Sequence, residues 1–143
     1  MSDELYQEII LESSRSTAHR GELSALPTAR HEMMRNPLCG DIVDLWIDVR
    51  DGVVKDVKFA GHGCAISQAS ASLLAEIAVG KRLEELSDVV SSFQALLDGE
   101  LEDEKKKALG PLVALEGVRQ FPIRRRCASL AFEALQRIAR AYA

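Results

Sequence analysis

Apolar and polar residues alternate along residues 42–49 and again along 53–60, which is the pattern of two half-buried strands. Asp51-Gly52 lies between these stretches and forms a favoured two-residue hairpin turn. The pattern predicts an antiparallel hairpin in which residues 41 and 60 lie close together. One face of its first strand would be buried through its alternating apolar residues, which are Val43, Leu45, Ile47 and Val49.

Helical spacing of apolar residues surrounds this hairpin. A first helix is predicted over residues 3–14, with Ser2 or Asp3 as its cap. After the hairpin, small residues and helix formers predict a helix from Ala65 to the stop at Gly80, packed on the sheet through its small residues Ala65, Ala69 and Ser72. Further predicted elements are a short strand over 28–35 and helices over 83–97, 110–118 and 123–141.

Two details of the later helices can be checked directly. Ser87-Asp88 is predicted as a cap within the 83–97 pair of helices, and Asp98-Gly99 as its stop. Residues 100–107 form a charge run that we interpret as a solvated face or a mobile loop. The order of a helix, then strands, then helices predicts an α+β fold, with helices on one face of a small antiparallel sheet.

Composition narrows the class of protein without identifying its function. The chain has 143 residues, which fits one domain over 1–143, and a formal net charge of −4 gives a nucleic-acid role no overall electrostatic support. No apolar run is long enough to cross a bilayer, and the acidic start does not read as a signal peptide. We therefore expect a cytoplasmic protein that binds neither nucleic acid nor membrane.

The three cysteines lie at junctions between predicted elements. Cys39 is on the loop that enters the hairpin, Cys64 is at the hairpin exit and the start of a helix, and Cys127 is in about the first turn of the last helix. An odd count without a secretion signal argues against a disulfide framework. Because hairpin pairing brings residues 39 and 64 to one sheet edge, these thiols are expected to meet.

Three thiolates and Asp41 supply the four ligands that tetrahedral Zn²⁺ requires. A helix N-terminus favours the thiolate of Cys64, and the arginines at 124, 125 and 126 would do the same for Cys127. Other interpretations stay open at this point. The cysteines could be buried spectators, Asp41 could accept a local backbone bond, and His62 could be the fourth ligand.

Three motifs in this chain resemble those of the IscU/NifU N-terminal iron–sulfur assembly family. They are Asn-Pro-Leu-Cys-Gly-Asp at 36–41, Gly-His-Gly-Cys-Ala-Ile-Ser at 61–67, and Phe-Pro-Ile-Arg-Arg-Arg-Cys-Ala at 121–128. The similarity is greatest to the SufU branch. IscU proteins typically have histidine before the third cysteine, where this chain has Arg126. The long interval from Cys64 to Cys127 resembles the SufU insertion, here at about 88–120.

The resemblance implies a three-stranded antiparallel sheet with helices and a zinc site formed by Cys39, Asp41, Cys64 and Cys127. It also implies a partner, a pyridoxal-phosphate cysteine desulfurase of the SufS type. In that family the cysteine matching Cys39 accepts persulfide sulfur, after a histidine of the desulfurase takes its place on the zinc. The arginine matching Arg124 is associated with desulfurase docking, and its neighbours Arg125 and Arg126 are also basic.

The leading hypothesis is a zinc-dependent sulfur-transfer protein of iron–sulfur cluster assembly. Cys39 would accept sulfur from the desulfurase and pass it to a downstream cluster assembly complex, so that the chain acts as a sulfurtransferase-type partner rather than a self-sufficient enzyme. One alternative is a scaffold that builds a transient [2Fe–2S] cluster on the same four residues. Another is a binding adaptor whose zinc is purely structural.

Overall fold

A small sheet and five α-helices form the fold. The computed structural model describes residues 3–142, with only the backbone of Asp3. Two segments of 3₁₀ helix, a short turn at Leu83–Glu85 and a longer segment at Gly110–Gln120, separate some of the α-helices. In chain order the regular elements are α1 (Asp3–Arg15), β1 (Ala29–Asn36), β2 (Asp41–Arg50), β3 (Val53–His62), α2 (Ala65–Ala78), α3 (Leu86–Leu97), α4 (Asp103–Leu109) and α5 (Pro122–Tyr142).

The sheet is antiparallel with the strand order β1-β2-β3, as the α+β prediction requires. Asp51 and Gly52 both have positive φ, 56° and 75°, which is the geometry of the favoured two-residue turn. The predicted closeness of residues 41 and 60 was wrong. The turn pairs Arg50 with Val53, a register that would pair residues 43 and 60, and the bulge between Asp48 and Val49 shifts the pairing by one further residue. Ala60 pairs with Asp44, and Ile42 at the start of β2 pairs with His62.

One face of the sheet forms the core. Helices α2 and α5 both contact β2 and together cover the sheet. The predicted apolar stripe of β2 is buried there, together with residues of β3; the buried set is Val43, Leu45, Ile47, Val49, Val54, Val57 and Phe59. The helices that carry Cys64 and Cys127 are therefore fixed on the same sheet face.

Helix α2 is buried on nearly all sides, in contrast to the prediction of one small face. Ten of its 14 residues are buried, because α1 and α5 contact it in addition to the sheet. Ala69 and Ser72 are buried as predicted, whereas Ala65 in the first turn is exposed. Small residues let these helices approach closely, and Ser70 Oγ donates a hydrogen bond of 2.6 Å to the carbonyl oxygen of Ala128 in α5.

Residues 86–120 contribute their own part of the core. Phe93 stacks on Phe132 of α5, with ring centroids 3.9 Å apart. Ser87 and Asp88 lie inside α3 and do not cap it, since the N-cap position is Glu85; Asp98 ends the helix as predicted. The charge run is not a loop throughout, because α4 begins at Asp103 and places both acidic residues of its first turn at the favourable end of the helix dipole.

Within residues 3–142, no helix is both long enough and apolar enough to cross a membrane.

Candidate metal centre

A tight loop between β1 and β2 presents Cys39. Asn36 and Asp41 are paired across the two strands, so only four residues connect them. The backbone carbonyl of Asn36 accepts the N–H groups of Cys39 (3.3 Å) and Gly40 (2.8 Å), and Gly40 has a φ of 75°, which glycine adopts without strain. Cys39 is exposed, so a partner protein can reach its thiol.

Asp41 is the buried acidic residue at the centre of the site. Its Oδ1 accepts the backbone N–H of Cys64 at 3.2 Å, and its Oδ2 lies 3.2 Å from Cys64 Sγ. Burial opposes ionisation of this carboxyl group, but hydrogen bonds from Cys64, Cys127 and Cys39 outweigh it and lower the pKa of Asp41. Asp41 is therefore held as a carboxylate facing three thiols.

Cys64 is the N-cap residue of α2, as the sequence predicted. Gly63 precedes it and lies against Asp41. A Cβ at position 63 would come within 2.6 Å of Asp41 Cγ and 2.7 Å of Ser67 Oγ, closer than such atoms can approach. A glycine at 63 leaves the space that the Asp41 carboxylate occupies.

Cys127 lies deeper than the sequence indicated. It is the sixth residue of α5 and fully buried, so it is beyond the first turn, where the helix dipole acts most strongly. Burial raises the pKa of the Cys127 thiol well above its usual range, and the neighbouring Cys39, Asp41 and Cys64 raise it further. The predicted bias of Cys127 towards thiolate was wrong for the metal-free protein.

Three of the four predicted ligands form one group, and the fourth, Cys64, lies beside it. Potential ligand atoms of Cys39, Asp41 and Cys127 lie within 4.8 Å of one another, and the sulfur atoms of Cys39 and Cys127 are 3.4 Å apart. Cys64 joins the cluster through its contacts with Asp41. Three thiols and one ionised carboxylate form a donor set that Zn²⁺ accepts. His62, like Cys64, lies outside the group of three found among the described residues, but it is exposed, whereas Cys64 contacts Asp41.

The three arginines before Cys127 point to different places. Arg124 lies beside Cys64 and Cys127, and the negative charge of these groups in their ionised form raises the pKa of its guanidinium group. Arg125 pairs with Asp98, and Arg126 Nη1 lies 3.2 Å from Glu133 Oε1. Of the triplet, Arg124 is the residue directed at the thiols.

Sequence reasoning missed several exposed apolar residues within the cysteine motifs. Leu38 precedes Cys39 in the loop and is 75% exposed, and Phe121 and Ile123 are exposed at the start of α5, six and four positions before Cys127. They form what we call the apolar rim (Leu38, Phe121, Ile123). Their sequence signal was their position inside the cysteine motifs. Asn36 is fully buried, and the Asn-Pro dipeptide marked it only as part of a turn.

Comparison with known proteins agrees with this architecture. Residues 5–141 match the family described as the NifU-like N terminal domain. The iron–sulfur cluster assembly scaffold protein IscU of Thermotoga maritima is 39% identical over 140 residues, covering 95% of this chain and 96% of the relative. The zinc-dependent sulfurtransferase SufU of Bacillus subtilis is 34% identical over 135 residues, covering 94% and 89% of the two chains.

A solved structure shares the same fold. It is the crystal structure of FiSufU from Fervidobacterium islandicum, a protein named for an iron–sulfur cluster assembly scaffold role in the SUF system. Its TM-score is 0.85 at 31% sequence identity, and the match covers 97% of this chain and 99% of that structure. The resemblance noted in the three cysteine motifs thus extends to the whole fold, and this chain belongs to the NifU-like N-terminal domain family of IscU and SufU iron–sulfur cluster assembly proteins.

Proposed function

We propose that this protein is a zinc-dependent sulfur acceptor in iron–sulfur cluster assembly, with Cys39, Asp41, Cys64 and Cys127 as the zinc ligands. The observation that carries the proposal is the unequal exposure of one compact donor set. Cys39 is exposed on a loop, whereas Asp41 and Cys127 are buried and Cys64 begins a helix. When bound, Zn²⁺ would keep the thiols ionised, as a coordinating metal does.

The chemistry assigned to Cys39 is a transfer of sulfur without net oxidation. Its thiolate attacks the terminal sulfur of a persulfide on the catalytic cysteine of a desulfurase. A bond forms between Cys39 Sγ and that sulfur, the S–S bond of the desulfurase breaks, and its cysteine leaves as a thiolate. The persulfide on Cys39 then passes to a downstream cluster assembly complex by the same exchange. Because the thiol of Cys39 takes the sulfur that the desulfurase releases, this chain acts as a co-substrate of the desulfurase.

We propose that the desulfurase docks on the exposed residues of the cysteine motifs. The apolar rim supplies three exposed side chains that can be buried at an interface, and Arg124 adds a cation next to the thiols. Arg125 and Arg126 already hold acidic partners on this chain, so we assign docking to Arg124 and the apolar rim rather than to the whole triplet. The partner proposed is a cysteine desulfurase of the SufS type, in the cytoplasm.

Two features support placement in the SufU branch. Arg126 occupies the position before the third cysteine where IscU proteins typically have histidine. Residues 88–120, which we propose as the SufU-type insertion in a single 1–143 domain, include most of α3, all of α4 and the 3₁₀ segment Gly110–Gln120. The SufU relative from Bacillus subtilis is named as zinc-dependent and as a sulfurtransferase.

A scaffold for a transient [2Fe–2S] cluster is the second candidate. The similarity to IscU of Thermotoga maritima, 39% against 34% for the SufU relative, favours this alternative. Metal analysis of protein purified without added iron separates the two functions. Zinc at one per chain in a colourless sample supports sulfur transfer, whereas iron, sulfide and a brown colour support the scaffold.

Substitution of the acceptor thiol tests the proposal directly. We expect the wild-type protein to stimulate desulfurase turnover and Cys39→Ala to abolish that stimulation, with the desulfurase assayed alone as the baseline. The sulfur carried by the wild-type protein should appear on Cys39 in mass spectra. Full stimulation by Cys39→Ala would overturn the proposal and favour an adaptor with structural zinc.

A further inference from the structure

Asn36, the last residue of β1, has a fully buried side chain next to the cysteine cluster. A buried amide is costly unless its polar atoms find partners. Its Oδ1 accepts the backbone N–H of Leu38 at 3.2 Å, inside the loop that carries Cys39. Together with the two bonds to the Asn36 carbonyl, three backbone N–H groups of this loop, those of residues 38, 39 and 40, are held by one residue.

The other end of the same amide points at the opposite side of the cluster. Nδ2 lies 3.9 Å from the sulfur of Cys127, a residue 91 positions away in α5. Because both side chains are fully buried, the amide fills the space next to that sulfur, and a shorter side chain would leave a gap there. One side chain is therefore in contact with both the exposed cysteine's loop and the buried cysteine's sulfur.

We propose that Asn36 is a positioning residue that couples the Cys39 loop to Cys127. Its two carbonyl oxygens hold the loop so that the sulfur atoms of Cys39 and Cys127 stay 3.4 Å apart. Its side-chain NH₂ group lies against the sulfur of Cys127, which stays in place when Cys39 leaves the zinc. This assignment deepens the proposed function and rests on it for its biological meaning. Groups that hold metal ligands from behind commonly affect metal retention about 10–100-fold.

Two substitutions separate the halves of this role. Asn36→Ser keeps a short side-chain acceptor for the turn but cannot reach Cys127. Asn36→Ala removes both contacts. If Asn36 only forms the turn, Asn36→Ser should behave like the wild type. If Asn36 also supports Cys127, Asn36→Ser and Asn36→Ala should both lose that support.

Thr28→Val provides a control just before β1, at the end remote from Asn36. Thr28 Oγ1 donates to the buried Asp48, so its loss should lower stability without touching the cluster. Thermal unfolding of all the variants then shows whether any change at the thiols merely follows from lower stability.

The deciding measurement is alkylation of each cysteine in the reduced, metal-free protein, followed site by site by mass spectrometry. We expect Asn36→Ser to raise the rate at Cys127 relative to Cys64 by about tenfold, because the gap left by the shorter side chain lets local opening expose the buried sulfur to the reagent, and Thr28→Val to leave that ratio unchanged. An unchanged ratio in Asn36→Ser, or an equal rise in Thr28→Val, would overturn the assignment.

Release of zinc to a chromogenic chelator gives the second readout. We expect Asn36→Ser to release zinc about 10–100 times faster than the wild type. Wild-type release rates in this variant would contradict the coupling. If the wild type takes up no zinc, the proposed function fails instead, and the metal-free alkylation ratios still decide whether Asn36 positions Cys127.

Discussion

The loop that carries Cys39 and the two helices that carry Cys64 and Cys127 supply the same chemical group in opposite settings. The loop has four residues between two strands, and two of them, Leu38 and Cys39, are exposed. The helices instead lie on the core face of the sheet and contact each other, and Cys127 is fully buried. The difference lies in what surrounds each sulfur atom, since the residue type is the same.

This contrast explains how one cluster could both retain a metal and release a thiol. Moving Cys39 requires a change in one short loop, whereas moving Cys127 would require α5 to leave the core that it shares with α2 and the sheet. Loops open at a lower free energy than core helices. We therefore expect Cys39 to be the sulfur that exchanges and the other two to stay in place.

We expect the largest effect from a methyl group added next to Asp41, on the buried side of the cluster. Gly63→Ala would place Cβ against Asp41 and Ser67, and we expect it to destabilise the protein by about 1–3 kcal/mol. Zinc retention should fall because Asp41 must shift away. Thermal unfolding and zinc content measure the two effects.

Gly117→Ala is the matched control for this change. A Cβ at Gly117 meets no atom within 4 Å, and the residue lies in the 3₁₀ segment Gly110–Gln120, outside the cysteine motifs. This variant should keep wild-type zinc content. Full zinc content in Gly63→Ala as well would show that Asp41 does not need its observed position.

The next largest effect is expected on the exposed side of the cluster, where the desulfurase would dock. Arg124→Ala should weaken desulfurase stimulation by about tenfold, equivalent to about 1.4 kcal/mol, because arginine is enriched among the few interface residues that carry most of the binding energy. Arg125→Ala and Arg126→Ala serve as controls, since these arginines already pair with Asp98 and Glu133. Desulfurase turnover as a function of protein concentration measures all three. Equal losses for the three variants would contradict the assignment to Arg124.

A smaller effect tests whether the contact between α2 and α5 stabilises the protein. Ser70→Ala removes the buried 2.6 Å hydrogen bond from α2 to the Ala128 carbonyl, and we expect a cost of about 1 kcal/mol in the free energy of unfolding. Denaturant unfolding measures it. Ser14→Ala removes an exposed bond to Leu11 and should change stability by less than about 0.5 kcal/mol. Equal stability of the two variants would argue against the helix pairing as a source of rigidity.

Much of the fold was predictable because its signals are local. Alternation marked β2 and β3, the Asp51-Gly52 pair marked their turn, and the change to small residues at Ala65 marked α2. The predicted turn already implies a pairing of residues 43 and 60, but the remaining one-residue shift was not predictable, since the bulge at Asp48 and Val49 gives no distinct signal in the sequence. The surroundings of α2 were also missed, because contact with α1 and α5 depends on the packing of the whole chain.

The cluster was predictable as a set of residues but not as a set of environments. The cysteine motifs and the hairpin were enough to bring Asp41 next to Cys64, whereas the thiol that Cys39 contacts is that of Cys127 in α5. Burial of Cys127 depends on where α5 begins and on how deeply it packs, which local patterns do not specify. The separate directions of the three arginines depend on acidic partners at 98 and 133, which are distant or a turn or two away in the chain.

The most direct test of unequal mobility is the alkylation rate of each cysteine in zinc-loaded protein, measured with and without the desulfurase. In the zinc-loaded protein alone, we expect all three thiols to be protected from alkylation. When the desulfurase is added, we expect Cys39 to become reactive while Cys64 and Cys127 stay protected. A desulfurase that exposes all three thiols together, or that exposes Cys127 before Cys39, would contradict the account.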